Sequence, residues 1–124
     1  MNLVIIGLGG ALGAVLRYLS YAGAARMMGA SFLWGTAFVN IAGSLAMGAA
    51  AALILERGGA SPLFAGFLMT GVFGGFTTFS AFSLETAQLI ETGRLGVAGA
   101  YVAGSIVLSV AGLFLGLMIG RALS

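Results

Sequence analysis

Gly71 to Phe82 reads GVFGGFTTFSAF: a glycine pair, a threonine pair and two phenylalanines set inside an otherwise apolar segment. Gly74-Gly75 is a flexible point, and Thr77-Thr78 adds two β-branched residues whose hydroxyls can bond backbone carbonyls. The string predicts a helix that breaks midway. In hydrocarbon each exposed backbone polar group costs several kcal/mol, so a break survives only where protein, water or an ion satisfies the freed groups.

The surroundings are hydrocarbon. Hydrophobic residues make up 60% of 124 residues and charged residues 6%, far below the roughly 25% charged composition of a soluble domain. With a mean hydropathy of +1.16, the chain is an integral membrane protein. A helical span needs about 20 apolar residues, and four such segments divide the sequence into a single transmembrane domain over residues 1–124. They run near residues 2–24, 32–55, 63–90 and 95–123, joined by short connections. Ala22-Gly23-Ala24 has the small-residue look of a signal-peptide cleavage site. The first cation, Arg17, lies at the far end of the apolar run rather than before it, so residues 2–24 read as the first helix. Cysteine and histidine are absent, which excludes disulfides, haem ligation, a conventional zinc site and a His-based triad. The few charges are scattered, and nothing points to nucleic acid or to an enzyme.

The arginines are balanced. With four spans, Arg57 and Arg121 fall on one side and Arg26 and Arg94 on the other. Orientation normally follows an excess of Lys and Arg in cytoplasmic loops, so the tie predicts insertion both ways round and an antiparallel two-fold dimer; chance in a charge-poor chain is the competing explanation. Gly9 with Gly13, and Gly112, Gly116 and Gly120, recur at helical spacing and let backbones approach closely, between subunits or within one. Trp34, Tyr18 and Tyr21 beside the first connection read as interfacial anchors.

Polar residues within the spans are few. Thr36, Asn40, Gly43, Ser44 and Met47 share one face of the second helix. The Asn40 amide can bind an anion or bridge two helices. Tyr101, Ser105 and Ser109 repeat every four residues on the fourth helix; such a row lines an ion path or bonds back to its own backbone. The third segment, continuous, would be about 42 Å long against a hydrocarbon core of about 30 Å, which also favours a break. A break frees carbonyls that are ligands for a hard cation such as Na⁺, and amide donors on the following half-helix. Phe79 and Phe82 share a face there; they pack against lipid or core, or turn their positive ring edges toward an anion. Glu85 is a proton or coupling site, or a member of a local hydrogen-bond network.

GLGGALGAVLRY at Gly7 to Tyr18, GTAFVNIAGS at Gly35 to Ser44 and TGVFGGFTTFSAFSLE at Thr70 to Glu85 together resemble the bacterial fluoride channel family known as Fluc or CrcB. The resemblance covers the length of the chain. It implies an all-α membrane protein: a dual-topology antiparallel homodimer of four-helix subunits, the third helix broken, in the bacterial inner membrane. It implies passive export of cytoplasmic fluoride through two pores, protecting against fluoride toxicity. The pore phenylalanines fall on Phe79 and Phe82, the pore asparagine on Asn40, and the polar track on Ser80, Tyr101, Ser105 and Ser109. A structural, non-transported Na⁺ falls on backbone carbonyls of Gly74 and Thr77, and Arg17 matches the family's arginine at the end of the first helix. Thr36, Thr78 and Glu85 stand nearby as supporting residues.

Fluoride is small and strongly hydrated. A selective path replaces its water with donors such as the Asn40 amide, serine hydroxyls and ring edges, without a fixed cation that would trap the ion. The alternative is a small dual-topology multidrug/proton antiporter, which needs a membrane-embedded acid lined by aromatics; Glu85 is its only candidate. A purely structural membrane subunit leaves the Gly-Gly, Thr-Thr and Phe pairs without purpose.

Overall fold

The computed structural model describes residues 2–28, 32–56, 58–59 and 61–123. The described residues are helical apart from short connections and two residues of the third segment. α1 spans Leu3–Met28 and α2 Phe32–Ala50, with a π-helical extension Ala51–Glu56. α3 (Pro62–Ala65) leads into a π-helical stretch Gly66–Phe73, then α4 (Gly74–Phe76) and α5 (Phe79–Glu91); α6 spans Leu95–Leu123. Four stretches are long and apolar enough to cross a membrane: Leu3–Met27, Leu33–Glu56, Pro62–Glu91 and Leu95–Leu123. The protein is a multi-pass membrane protein, and its many exposed Leu, Ile, Val and Phe side chains are what a lipid-facing surface requires.

The boundaries differ from the sequence reading where helix formers outlast the hydropathy signal. α1 continues past residue 24 through Ala25, Arg26 and Met27, none of which disfavours a helix. The third stretch starts at Pro62, preorganised for a first helical turn, and Ser61 Oγ caps it by accepting from Phe64 N–H at 3.1 Å. Arg57, one of the four arginines weighed for orientation, lies outside the described residues.

Two helix pairs build the bundle, and glycines set both. Along α1 and the third stretch, Gly9 and Gly13 lie against the backbone of Phe67 and Val72, and a Cβ on Gly75 would come within 2.6 Å of Gly10 O. Along α2 and α6, Gly48 abuts Leu113 O, Gly116 abuts Leu45 O, and a Cβ on Gly120 would meet Ala49 O at 2.8 Å. Contacts advance in the same direction along both members of each pair, so each pair is parallel. The helical-spaced glycines therefore serve packing within the subunit. At one end Arg121 makes a two-pronged ion pair with Glu56, Nε to Oε1 at 2.9 Å and Nη2 to Oε2 at 2.8 Å, joining α6 to the end of the second stretch.

Between α4 and α5 the backbone is extended, at Thr77 (φ −85°, ψ 159°) and Thr78 (φ −151°, ψ 117°). The expected flexible point, Gly74-Gly75, is helical instead, with Gly74 at φ −63°, ψ −38°. Gly75 is spent on close approach to Gly10, and the chain leaves the helix at the two threonines, where the Asn40 side chain captures both the N–H and the C=O of Thr78.

Candidate functional site

Those captures define the site. The Asn40 side chain, on α2, reaches Thr78 with both ends of its amide: Oδ1 accepts from Thr78 N–H at 2.7 Å, and Nδ2 donates to Thr78 O at 3.0 Å. Of the two roles open to Asn40 in sequence, bridging is the one the geometry displays, and one Nδ2 hydrogen remains for another acceptor. The Thr78 hydroxyl then caps α5, accepting from Ala81 N–H at 3.1 Å, while Thr77 Oγ1 donates back to Phe73 O at 3.0 Å. With Thr78 N–H committed to Asn40, the Gly74 carbonyl lacks the donor four residues on that a continuous helix supplies.

Beside this junction a cleft of about 360 Å³ is lined by Asn40, Gly43, Ser44 and Met47 of α2, Thr77, Thr78, Phe79 and Phe82, and Ser105, Ile106, Ser109, Val110 and Leu113 of α6. None of the described residues that line the cleft is charged. Hydroxyls elsewhere bond back to their own helices: Ser20 to Leu16 O, Ser83 to Phe79 O and Thr86 to Phe82 O. Among the described residues Ser105 and Ser109 make no such bond, so their hydroxyls retain donors for a guest. Phe82 is buried, with its ring centroid 5.7 Å from that of Phe79 and 5.2 Å from that of Tyr101. Phe79 is 77% exposed, open at the cleft mouth or to whatever covers that face.

A second polar cluster adjoins Phe82. Glu85 is buried and accepts from Thr36 Oγ1 at 2.9 Å on Oε2 and from the Tyr101 hydroxyl at 2.8 Å on Oε1. The Tyr21 hydroxyl lies 2.9 Å from Thr36 Oγ1. A buried carboxylate in an apolar bundle needs such donors, and Glu85 is thus held in a hydroxyl network rather than facing the cleft.

Of the sequence-predicted residues, Asn40, Thr77, Thr78, Phe79, Phe82, Ser105 and Ser109 come together at the cleft. Thr36, Glu85 and Tyr101 gather in the adjoining cluster. Ser80 is exposed and not in the cleft lining, its Oγ 3.3 Å from Thr78 Oγ1. Arg17, on α1, joins neither group. Tyr21 was the miss: Tyr18 and Trp34 are exposed as anchors should be, whereas Tyr21 turns inward, a fact that residue type and position alone do not carry.

A family model described as CrcB-like protein, Camphor Resistance (CrcB), matches residues 4–117. The chain belongs to the CrcB family. Among its CrcB relatives, a protein of Rhodopseudomonas palustris (strain BisB5) named Fluoride-specific ion channel FluC is 47% identical over 124 residues, all of both chains. One of that name from Rhodospirillum centenum (strain ATCC 51521 / SW) is 49% identical over 119 residues, 96% of this chain and 94% of the relative. Another from Agrobacterium fabrum (strain C58 / ATCC 33970) is 46% identical over 121 residues, covering 98% and 97%. The match to the CrcB model runs from α1 into α6, so it takes in every residue of the cleft and of the Glu85 cluster.

Proposed function

We propose that the protein is a fluoride-selective channel that lets cytoplasmic fluoride leave passively, as its relatives' name indicates. The cleft carries this reading: its described lining is uncharged and combines a spare Asn40 N–H, two serine hydroxyls without a partner among the described residues, and the rings of Phe82 and Phe79. Each supplies a weak donor to a dehydrated anion, and none is a fixed cation that would hold it. A membrane potential negative inside, worth about 2.3 kcal/mol per charge per 100 mV, drives such an anion outward without an energy-coupling domain. The antiporter reading draws no support from the cluster, because Glu85 lies outside the cleft with both oxygens engaged by hydroxyls.

In this reading two copies associate antiparallel, with the extended pair Thr77-Thr78 acting as a functional break at the dimer centre. The carbonyls of Gly74 and Thr77 suit Na⁺: no donor reaches the Thr77 oxygen among the described residues, the Gly74 oxygen has lost its helical donor, and Gly74 is exposed. Hard carbonyl oxygens match a hard cation. A sodium ion bound there would offset the carbonyl ends of α4 and lend positive potential to the neighbouring passage. Ser80, exposed beside Thr78, would face the partner copy, and Arg17 enters only as a supporting residue, matching the family's arginine at the end of the first helix on the resemblance alone.

Fluoride efflux from liposomes carrying purified protein tests the reading. Release much faster than from protein-free vesicles, with chloride retained, supports it; fluoride retention together with proton-driven accumulation of a cationic dye replaces it with the antiporter.

A further inference from the structure

The hydroxyl chain ending on Glu85 begins on α1, at a residue given no part in the passage. The Tyr21 ring lies over buried Gly35, where a Cβ would come within 2.8 Å of Tyr21 Cε1; only glycine leaves the ring this close. That placement sets the Tyr21 hydroxyl 2.9 Å from Thr36 Oγ1. Thr36 has a single hydroxyl hydrogen and donates it to Glu85 Oε2. Its oxygen is then left as an acceptor, which the Tyr21 O–H fills.

We propose that Tyr21 is a positioning residue. By donating to Thr36 it commits the Thr36 hydrogen to Glu85, and so fixes the carboxylate that holds Tyr101 against Phe82. Without the Tyr21 hydroxyl, Thr36 is free to rotate and bond back to its own helix, as Ser20, Ser83 and Thr86 do. Oε2 of a buried carboxylate then loses its donor, and the Tyr101 ring, bonded to the other oxygen and 5.2 Å from Phe82, loses its fixed anchor. The Tyr21-Gly35 pair thereby acts on the passage wall through three hydrogen bonds without touching the passage. This inference rests on the channel reading above for its effect on flux, but not for its effect on Glu85.

Two measurements on the full chain in lipid test it. The first is the infrared carboxylate band of Glu85, assigned by its loss in Glu85→Gln; the chain has three acidic side chains in all, so the assignment is tractable. Tyr21→Phe keeps the ring over Gly35 and removes only the hydroxyl, and it should shift that band. Gly35→Ala keeps the hydroxyl but displaces the ring, and should shift it likewise. The second is fluoride efflux, which should fall roughly fivefold in Tyr21→Phe, the scale of one lost hydrogen bond, with no further fall when Tyr21→Phe is added to Thr36→Val. An unmoved band in Tyr21→Phe, or losses that add in the double variant, overturns the proposal. Wild-type vesicles that retain fluoride overturn the channel reading instead, and leave the band to judge Tyr21.

Discussion

The Asn40 side chain holds both the N–H and the C=O of Thr78, at 2.7 Å and 3.0 Å, across the gap between α2 and the junction of α4 with α5. One amide thus completes the backbone of a residue that no helix can satisfy. Asn40→Asp is nearly isosteric and still accepts from the N–H, but it cannot donate to the carbonyl and places a negative charge against it. We expect a loss of about 1–3 kcal/mol in unfolding free energy, together with loss of fluoride efflux through repulsion of the anion. Denaturation in detergent and liposome efflux read the two effects separately.

How much of this was legible beforehand follows the chemistry. Four spans were legible because a lipid-facing helix must be apolar over its whole length, and α6 falls on residues 95–123 as hydropathy places it. The cleft was legible from polar residues at helical spacing, since few competing polar residues exist. Hydropathy is blind to where a hydroxyl points. It did not separate Tyr21, turned inward, from exposed Tyr18, nor show that Gly74-Gly75 stays helical while Thr77-Thr78 extends. Those outcomes depend on partners distant in sequence: Thr36, Gly10 and Asn40.

Phe79 and Phe82 should separate by stability rather than by flux. Phe82 is buried against Tyr101, so Phe82→Ile gives up a ring pair worth about 0.5–1.5 kcal/mol beyond its area. Phe79 is exposed and keeps one ring pair, with Phe82 at 5.7 Å, so Phe79→Ile should lower the unfolding midpoint of the solubilised protein by less than Phe82→Ile does. If both rings turn an edge to the fluoride path, as proposed, either replacement should cut fluoride efflux at least about tenfold, a barrier change near 1.4 kcal/mol. Unchanged efflux in either variant returns that ring to a packing role.

Glycine substitutions should sort by what a methyl group would meet. Gly13→Ala, Gly48→Ala and Gly116→Ala each drive Cβ into a backbone carbonyl of the paired helix, that of Val72, Leu113 or Leu45. Backbone cannot rotate away, and overpacking of this kind costs about 1–3 kcal/mol or more. Gly7, Gly96 and Gly104 have nothing within 4 Å, and their replacement by Ala should be neutral in the subunit. Thermal unfolding of the six variants gives the comparison, and a substituted pair contact that left stability unchanged would contradict the assigned register.

If carbonyls of Gly74 and Thr77 hold Na⁺, stability should depend on the ion and hardly on the Thr77 hydroxyl. Replacing Na⁺ by a large organic cation should lower the unfolding midpoint of the wild type, because binding to the folded form alone stabilises it as ligand concentration rises. Equal midpoints across a Na⁺ titration would remove the structural ion from the account.

Gly43 lines the cleft and faces the methyl group of Thr77; a Cβ on it would collide with Thr77 Cγ2, while meeting Phe76 Cδ2 at 3.3 Å and Thr77 Cβ at 3.7 Å. Only the first of these contacts is severe, since the second needs a shift of a few tenths of an ångström and the third is ordinary packing. Gly43→Ala alone should therefore push Thr77 off α2, strain the Asn40–Thr78 pairing one helical turn away, and cut efflux by about tenfold or more, the consequence of moving a site by an ångström or less. Thr77→Ser removes the colliding methyl yet keeps a hydroxyl for Phe73 O, so alone it should be mild. The double variant Gly43→Ala/Thr77→Ser should then recover most of the efflux and thermal stability lost in Gly43→Ala. Recovery that required changing Phe76 instead would place the limiting contact on the ring, and additive losses in the double variant would mean that Gly43 acts on the passage directly rather than by seating Thr77.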